Sequence, residues 1–325
     1  MSVSLPIVDL GGLAEAAETA DVTKLRAVAD AFDSACRTYG FCYISNHGVP
    51  DAVRAEAFAM NAAFHARPLA EKKAIAINKA HRGYMAMASS VIVTSSIEKA
   101  TKPNQSESFM LMHEVAPGKE TFALDGPNQW PAEPSAFRPA ISAYDAALRA
   151  LAQQMTRMIA VALGLQPREL DRYFERATTF LRLLHYPPSP PDADSNLYGS
   201  APHTDYGFIT ILAQDRAGGL QVRNVGGEWI DATPIDGTFV VNIGDIGSRW
   251  TNGRWRSTPH RVINRSGTDR YSMPYFYDPA ADVVVECLPT CCSAAEPARY
   301  PPVNYGRYLM ERIDANYSYR AKAGA

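Results

Sequence analysis

From Thr178 onward the chain breaks into short runs rich in β-branched and aromatic residues: "TFLRLLHYPP", "FITILAQD", "GLQVRN", "EWIDATP", "TFVVNIGD", "HRVINR", "RYSMPYFYD" and "VVVECLP". Turn-forming Gly, Pro, Asn and Asp separate them. Several short strands at this spacing specify a sandwich or barrel. Asn252-Gly253, between "IGSRWT" and "RWRSTPH", reads as a tight turn.

Upstream the pattern is helical. Asp21–Tyr39 carries apolar residues at Val22, Leu25, Val28, Ala29, Phe32 and Cys36, a helical period that Gly40 stops. Asp51–Ala66, Leu69–Ile75, Pro134–Leu165 and Pro167–Arg176 read as further helices, and "LPIVDL" and "FCYISN" as strands. "HRGYMAMASSVIVTSS" shows no assignable period. Asn304–Ala321 closes the chain as a helix. With no internal repeat or low-complexity linker, the expectation is one integrated domain over 1–325: a mostly helical part (1–177), a β-rich core (178–303) and a C-terminal helix (304–325).

Composition narrows the partners. Thirty-two basic against 34 acidic side chains leave a formal charge of −2, which gives no electrostatic footprint for nucleic acid or an anionic membrane. Hydrophobic residues make up 46 % of the 325, enough for a sizeable core. No apolar run approaches the roughly 18 residues of a spanning helix. The start, "MSVSLPIVDLGG", has no secretory pattern. The five cysteines (Cys36, Cys42, Cys287, Cys291, Cys292) are odd in number and lack C-x-x-C spacing. Neither a disulfide framework nor a tetrahedral zinc site is expected, and reduced thiols suit a cytoplasmic protein.

Chemistry concentrates in "PHTDYGFITIL", which sets His203 and Asp205 two apart at the mouth of a strand, where both side chains take the same face. A second histidine, His260 in "STPHRV", lies far enough along to return on another strand. Two imidazoles and one carboxylate form the facial set that holds non-haem Fe(II) and leaves positions open for a chelating cosubstrate and O2. Ten residues after His260, Arg270 and Ser272 repeat the two-apart spacing. A guanidinium fork with a hydroxyl beside it suits a carboxylate.

These motifs, with "GGLQV", "FVVNIGD", "DRYSMPYFYDP" and, upstream, "LPIVDL", "YGFCYISNHGVP" and "RGY", resemble the isopenicillin N synthase-like branch of the 2-oxoglutarate/Fe(II)-dependent dioxygenases. The resemblance runs in order over nearly the whole chain. It implies a double-stranded β-helix (jelly-roll) core with helices around it. It implies His203, Asp205 and His260 as iron ligands, and Arg270 and Ser272 on the distal carboxylate of 2-oxoglutarate, with Tyr186 as a second contact there. One departure stands out: many members carry asparagine two residues before that tyrosine, and this chain has Leu184. The implied reaction is hydroxylation, desaturation or cyclisation of a small organic substrate, with release of succinate and CO2.

Two arginines are candidates for a substrate carboxylate. These are Arg82 in "RGY" and Arg182, four residues before Tyr186 on the same strand face; an ion pair with a nearby acid is the other reading of Arg182. Phe109 and Phe276 are candidates for the pocket wall or for the core. His47, His65, His81, His113 and His185 read as structural, and Asn242 carries no assigned chemistry. The rival readings are an Fe(II) oxidase of the isopenicillin N synthase or aminocyclopropane carboxylate oxidase type, which does not use 2-oxoglutarate, and a jelly-roll binding module without turnover.

Overall fold

The structure is a computed structural model and describes residues 4–92, 97, 101–190 and 196–321. Residues 93–96 of the unassigned "HRGYMAMASSVIVTSS" stretch and 322–325 of the expected C-terminal part lie outside the described residues.

In chain order the first part holds β1 (Ile7–Asp9), α1 (Leu13–Thr19), α2 (Val22–Thr38), β2 (Phe41–Ser45), α3 (Asp51–His65), α4 (Leu69–Lys73), β3 (Gly83–Met85), β4 (Glu107–Met112) and α5 (Phe137–Ala162). The second holds β5 (Thr178–Tyr186), β6 (Ser200–His203), β7 (Ile209–Gln214), β8 (Leu220–Arg223), β9 (Trp229–Asp231), β10 (Phe239–Ile243), α6 (Asp245–Trp250), β11 (His260–Val262) and β12 (Arg270–Asp278). A short β13–β14 ladder (Val284–Val285 with Val303–Asn304) leads to α7 (Tyr305–Asn316) and α8 (Ser318–Ala321).

Two sheets make the jelly-roll core. The larger runs β1-β2-β10-β7-β12-β5-β4-β3 and the smaller β6-β11-β8-β9. An apolar cluster joins them, with Phe41, Leu184, Tyr186 and Leu212 from one sheet and Leu220, Val222 and Val262 from the other. Helix α5 packs on α1, α2 and α3, and α3 in turn rests on β5 and β12. Asp21 starts α2 by accepting the amide protons of Thr23 and Lys24, as a helix N-cap does. No helix among the described residues is long and apolar enough to cross a membrane.

Several local readings are corrected. In the first part the strands expected at "LPIVDL" and "FCYISN" form β1 and β2 at one edge of the large sheet, whereas β3 and β4 at the other edge were not expected. Every residue of "ESFMLM" in β4 is buried, so the alternation that marks a half-exposed strand is missing. Pro167–Arg176 is no helix: the amides of Glu169, Asp171, Tyr173 and Phe174 all bond three residues back, and only Asp171–Tyr173 forms a 3-10 turn. Asn252 and Gly253 both have positive φ, 55° and 77°, but the turn they make ends α6 and does not join two strands. The C-terminal helix breaks at Tyr317, whose backbone is extended.

Candidate metal centre and its cavities

Antiparallel pairing of β6 with β11 sets His203 directly across from His260, ring centroids 4.3 Å apart. Asp205 reaches the same point differently from the strand parity expected, for β6 ends at His203 and the aspartate sits in the turn beyond it. Three bonds place it. The Asp245 amide donates to the Asp205 carbonyl (2.8 Å), and Thr210 Oγ1 (2.6 Å) and Asn242 Nδ2 (2.7 Å) donate to Asp205 Oδ2. Thr210 and Asn242 are themselves cross-strand partners on β7 and β10. The other oxygen, Oδ1, then lies 3.8 Å from His203 Nε2 and 3.7 Å from His260 Nε2.

Each imidazole is oriented from behind. His203 Nδ1 lies 2.8 Å from the Ala201 carbonyl and His260 Nδ1 3.2 Å from that of Thr258. Those bonds put the ring proton on Nδ1 and leave the Nε2 lone pairs facing Asp205 Oδ1. Burial, and next His260, hold the His203 pKa below its ordinary value. Burial works to raise that of Asp205, but the two histidines and the Asn242 and Thr210 hydrogen bonds outweigh it and the carboxyl is lowered. A buried carboxylate beside an unprotonated imidazole is the state a divalent cation requires. The one group of three or more metal-ligating side chains found among the described residues is His203, Asp205 and His260. This donor set fits Fe(II).

Two glycines beside the metal loop leave no room for a side chain. A Cβ on Gly207 would stand 1.8 Å from Asp278 Oδ1, and one on Gly244 2.2 Å from the Gly207 carbonyl oxygen. Asp278, its pKa pushed up to about 7 chiefly by burial, accepts from the Phe208 amide and the Tyr305 hydroxyl, both at 2.6 Å. The metal loop is thereby tied to α7.

Asn242 has a role that parity in "VVNIGD" did not reveal, since its partner comes from another strand. Holding Oδ2 away leaves Asp205 one oxygen for the metal. Asn242→Ala is expected to weaken Fe(II) binding about 10- to 100-fold, read by anaerobic titration against a competing chelator. Wild-type affinity in that variant would show the bond to be incidental.

One cavity runs from the triad between the sheets to Arg270. In the β12–β5 ladder Arg270 faces Tyr186 and Ser272 faces Leu184. The Arg270 guanidinium lies 4.7 Å from the Tyr186 ring centroid. Its Nε donates to the Gly218 carbonyl and Nη1 to Ser272 Oγ (3.1 Å), while Nη2 is buried with no partner. An unpartnered N–H on a fully buried cation calls for an anionic acceptor. Leu184 lines this cavity as an apolar group, and Asn104 and Ser106 bring polar atoms to its wall.

A second cavity opens on His203 and Asp205, lined by Arg182, Phe180, Phe276 and Met110 and closed by Leu309, Ile313, Asn316 and Tyr317 at the C-terminal end of the chain. Arg182 donates to Ser108 Oγ (3.0 Å) and lies 3.6 Å from Met85 Sδ. Among the described residues it has no acid partner. Phe276 borders both cavities.

Two expected pocket residues are elsewhere. Arg82 is fully buried and donates to the carbonyls of Ala80 (2.9 Å), His113 (2.8 Å) and Leu124, so its fork ties loops together and lines neither of these two cavities. Phe109 packs in the helical core against Phe64 (5.1 Å) and Phe137 (5.3 Å). Register explains this, because Met110 pairs with Arg182 and takes the cavity face, which turns Phe109 to the other side. Conversely, His81, expected to be structural, lines the second cavity; its Nδ1 bonds the Tyr319 hydroxyl and burial holds its pKa down to about 3. Its left-handed backbone (φ 61°) leaves no sequence signal for that orientation.

Comparison with known proteins agrees with this geometry. Residues 177–279 match the 2OG-Fe(II) oxygenase superfamily, and residues 5–133 match the non-haem dioxygenase in morphine synthesis N-terminal family. The 2-oxoglutarate-Fe(II) type oxidoreductase hxnY of Emericella nidulans is 36 % identical over 89 % of this chain and 84 % of its own. A homoarginine-6-hydroxylase of Glycine max is 34 % identical over 97 % of each. A full-length Neurospora crassa protein, solved in complex with alpha-KG and thymine, superposes with a TM-score of 0.84 at 32 % identity, covering 96 % of both chains. With the triad in place and relatives of this kind along nearly its whole length, the chain belongs to the 2-oxoglutarate/Fe(II)-dependent oxygenase superfamily, in its isopenicillin N synthase-like branch, as a dioxygenase that uses Fe(II), 2-oxoglutarate and O2.

Proposed function

We propose that the enzyme hydroxylates a small carboxylate-bearing molecule held in the Arg182 cavity, with one atom of O2 entering the substrate C–H bond and the other the succinate formed from 2-oxoglutarate as CO2 leaves. The observation that carries the reading is Arg182, a cation without an acid partner among the described residues, on a wall shared by the two cavities that meet at the triad. The homoarginine-6-hydroxylases lend support, since by their name they act on an amino acid.

In this reading His203, Asp205 and His260 hold Fe(II), which supplies the activation of O2. Arg270 and Ser272 receive the distal carboxylate of 2-oxoglutarate, with Tyr186 stacked beneath the guanidinium to keep the fork in one orientation. Arg182 draws the substrate's carboxylate to one end of its cavity, and Phe276 and Phe180 exclude water from the rest. Five free cysteines, with no disulfide among the described residues, suit a reducing cytoplasm. The oxidase alternative is not favoured, because matched structures carry alpha-KG or 2OG.

The test is a screen of small carboxylic acids with Fe(II), 2-oxoglutarate and air, reading substrate-dependent succinate. Against the best substrate, Arg182→Ala is expected to raise KM about 10- to 100-fold, the loss of a charge-assisted contact, and to leave 2-oxoglutarate affinity unchanged. An unchanged KM would remove the substrate-carboxylate reading. Turnover without succinate would restore the oxidase.

A further inference from the structure

A third cavity meets His203 from another direction, between α6, the segment before β11, and α7. Thr204, Tyr206, Asp245, Arg249, Tyr308 and Arg312 line it, and its wall is more polar than that of the Arg182 cavity. The Arg249 guanidinium lies 5.1 Å from the ring centroid of Tyr300 and 5.9 Å from that of Tyr308. It donates through Nη2 to the Pro301 carbonyl (3.1 Å), and its Nε is buried with no partner. Arg312 lies 4.8 Å from the Tyr308 ring centroid and donates to that residue's hydroxyl (3.1 Å).

The acid on this wall is Asp245, and both its oxygens are occupied, Oδ1 by the Ser257 hydroxyl (2.6 Å) and Oδ2 by that of Tyr308 (3.0 Å). Among the described residues neither Arg249 nor Arg312 comes within 4.0 Å of a carboxylate oxygen. Two guanidiniums thus line one cavity with a single carboxylate that already accepts two hydroxyl hydrogen bonds. Aromatic faces steady both cations but neutralise neither. A bound carboxylate would take the N–H donors that these two guanidiniums leave free. The frame is continuous with the metal loop, since the Asp245 amide holds the Asp205 carbonyl at 2.8 Å.

We propose that Arg249 and Arg312 form a second carboxylate-binding site beside the metal centre, separate from the Arg270 site and from Arg182. It rests on the reading of this centre as 2-oxoglutarate-dependent. Two sources share the chemistry: the reaction's own dicarboxylates, 2-oxoglutarate entering or succinate leaving, and a carboxylate on the organic substrate.

The experiment is calorimetric titration of the full-length Fe(II)-loaded enzyme, kept anaerobic, with succinate and separately with propionate. Wild type is expected to bind two equivalents of succinate. Arg249→Gln/Arg312→Gln should weaken the second equivalent at least about tenfold and leave the 2-oxoglutarate charge-transfer band intact, whereas Arg270→Gln should weaken the first. Equal second-site affinity for propionate assigns the site to a substrate carboxylate, and preference for succinate assigns it to the reaction's dicarboxylates. A single equivalent in wild type, or two unchanged equivalents in the double variant, overturns the proposal. If the double variant misfolds, Arg249→Lys and Arg312→Lys singly serve the same comparison. A missing charge-transfer band in wild type would instead defeat the 2-oxoglutarate reading, an outcome distinct from loss of the second equivalent alone.

Discussion

The His260→Ala variant is expected to bind Fe(II) more than about 100-fold more weakly than wild type and to form no succinate from 2-oxoglutarate. His260 supplies one of three donors, and its Nδ1 bond to the Thr258 carbonyl holds Nε2 as the lone pair 3.7 Å from Asp205 Oδ1. Alanine leaves one imidazole and one carboxylate oxygen, with no side chain among the described residues positioned to replace the third donor. The ring also packs edge-on against Phe41 at 5.3 Å, so its removal costs some fold stability as well. Thermal melts of the metal-free proteins separate the two effects, because lost packing lowers Tm without metal whereas the lost ligand removes the rise in Tm that Fe(II) gives to wild type. Wild-type iron affinity and turnover in His260→Ala would mean that the triad is not the metal centre.

What the sequence reveals follows from how far each feature depends on its own strand. Arg270 and Ser272 were legible because β12 is long and regular, so spacing in the chain equals position on a face. Strand parity also brings His203 and Asp205 together, but β6 ends at His203, so parity is not what holds the aspartate there. Asp205 lies past the strand and is held by Thr210, Asn242 and Asp245, whose proximity exists only once β7, β10 and α6 are assembled. Arg82 and Arg182 look alike in sequence, each set among apolar or aromatic neighbours. Tertiary contacts decide between them, giving Arg82 three carbonyls and Arg182 an open wall. The place of His81 on a cavity wall is not legible in the sequence, because the groups that set its ring, Tyr317 at 4.9 Å and the Tyr319 hydroxyl, come from the far end of the chain. The short runs after Thr178 foretold the core, while the buried strand β4 escaped because burial on both faces erases alternation.

Arg270→Ala is expected to leave Fe(II) affinity near that of wild type and to weaken 2-oxoglutarate about 100- to 1,000-fold. The magnitude follows from the fork. Charge-assisted hydrogen bonds to a carboxylate contribute roughly 1.5–3 kcal/mol each, and loss of two, discounted for overlap, corresponds to about two to three decades in Kd. The structure argues that this cation is held for a ligand and not for the fold. Arg270 is wholly buried, has no acid partner among the described residues, and keeps Nη2 unpartnered beside Ser272. A buried cation without a counter-charge is a cost to the folded chain, so its removal should lower the Tm of the cosubstrate-free protein far less than loss of a satisfied ion pair would. The discriminating signal is therefore the gain in Tm on adding 2-oxoglutarate, large in wild type and absent in Arg270→Ala at the same concentration. Arg270→Lys keeps the charge but not the planar fork and should recover only part of the affinity. The charge-transfer band of the anaerobic Fe(II)–2-oxoglutarate enzyme gives an independent reading: full in wild type, reached only at much higher 2-oxoglutarate in Arg270→Ala. If Arg270→Ala binds 2-oxoglutarate as wild type does, the carboxylate anchor lies elsewhere, and the unpartnered Nη2 must be assigned to a substrate carboxylate, as the oxidase reading requires.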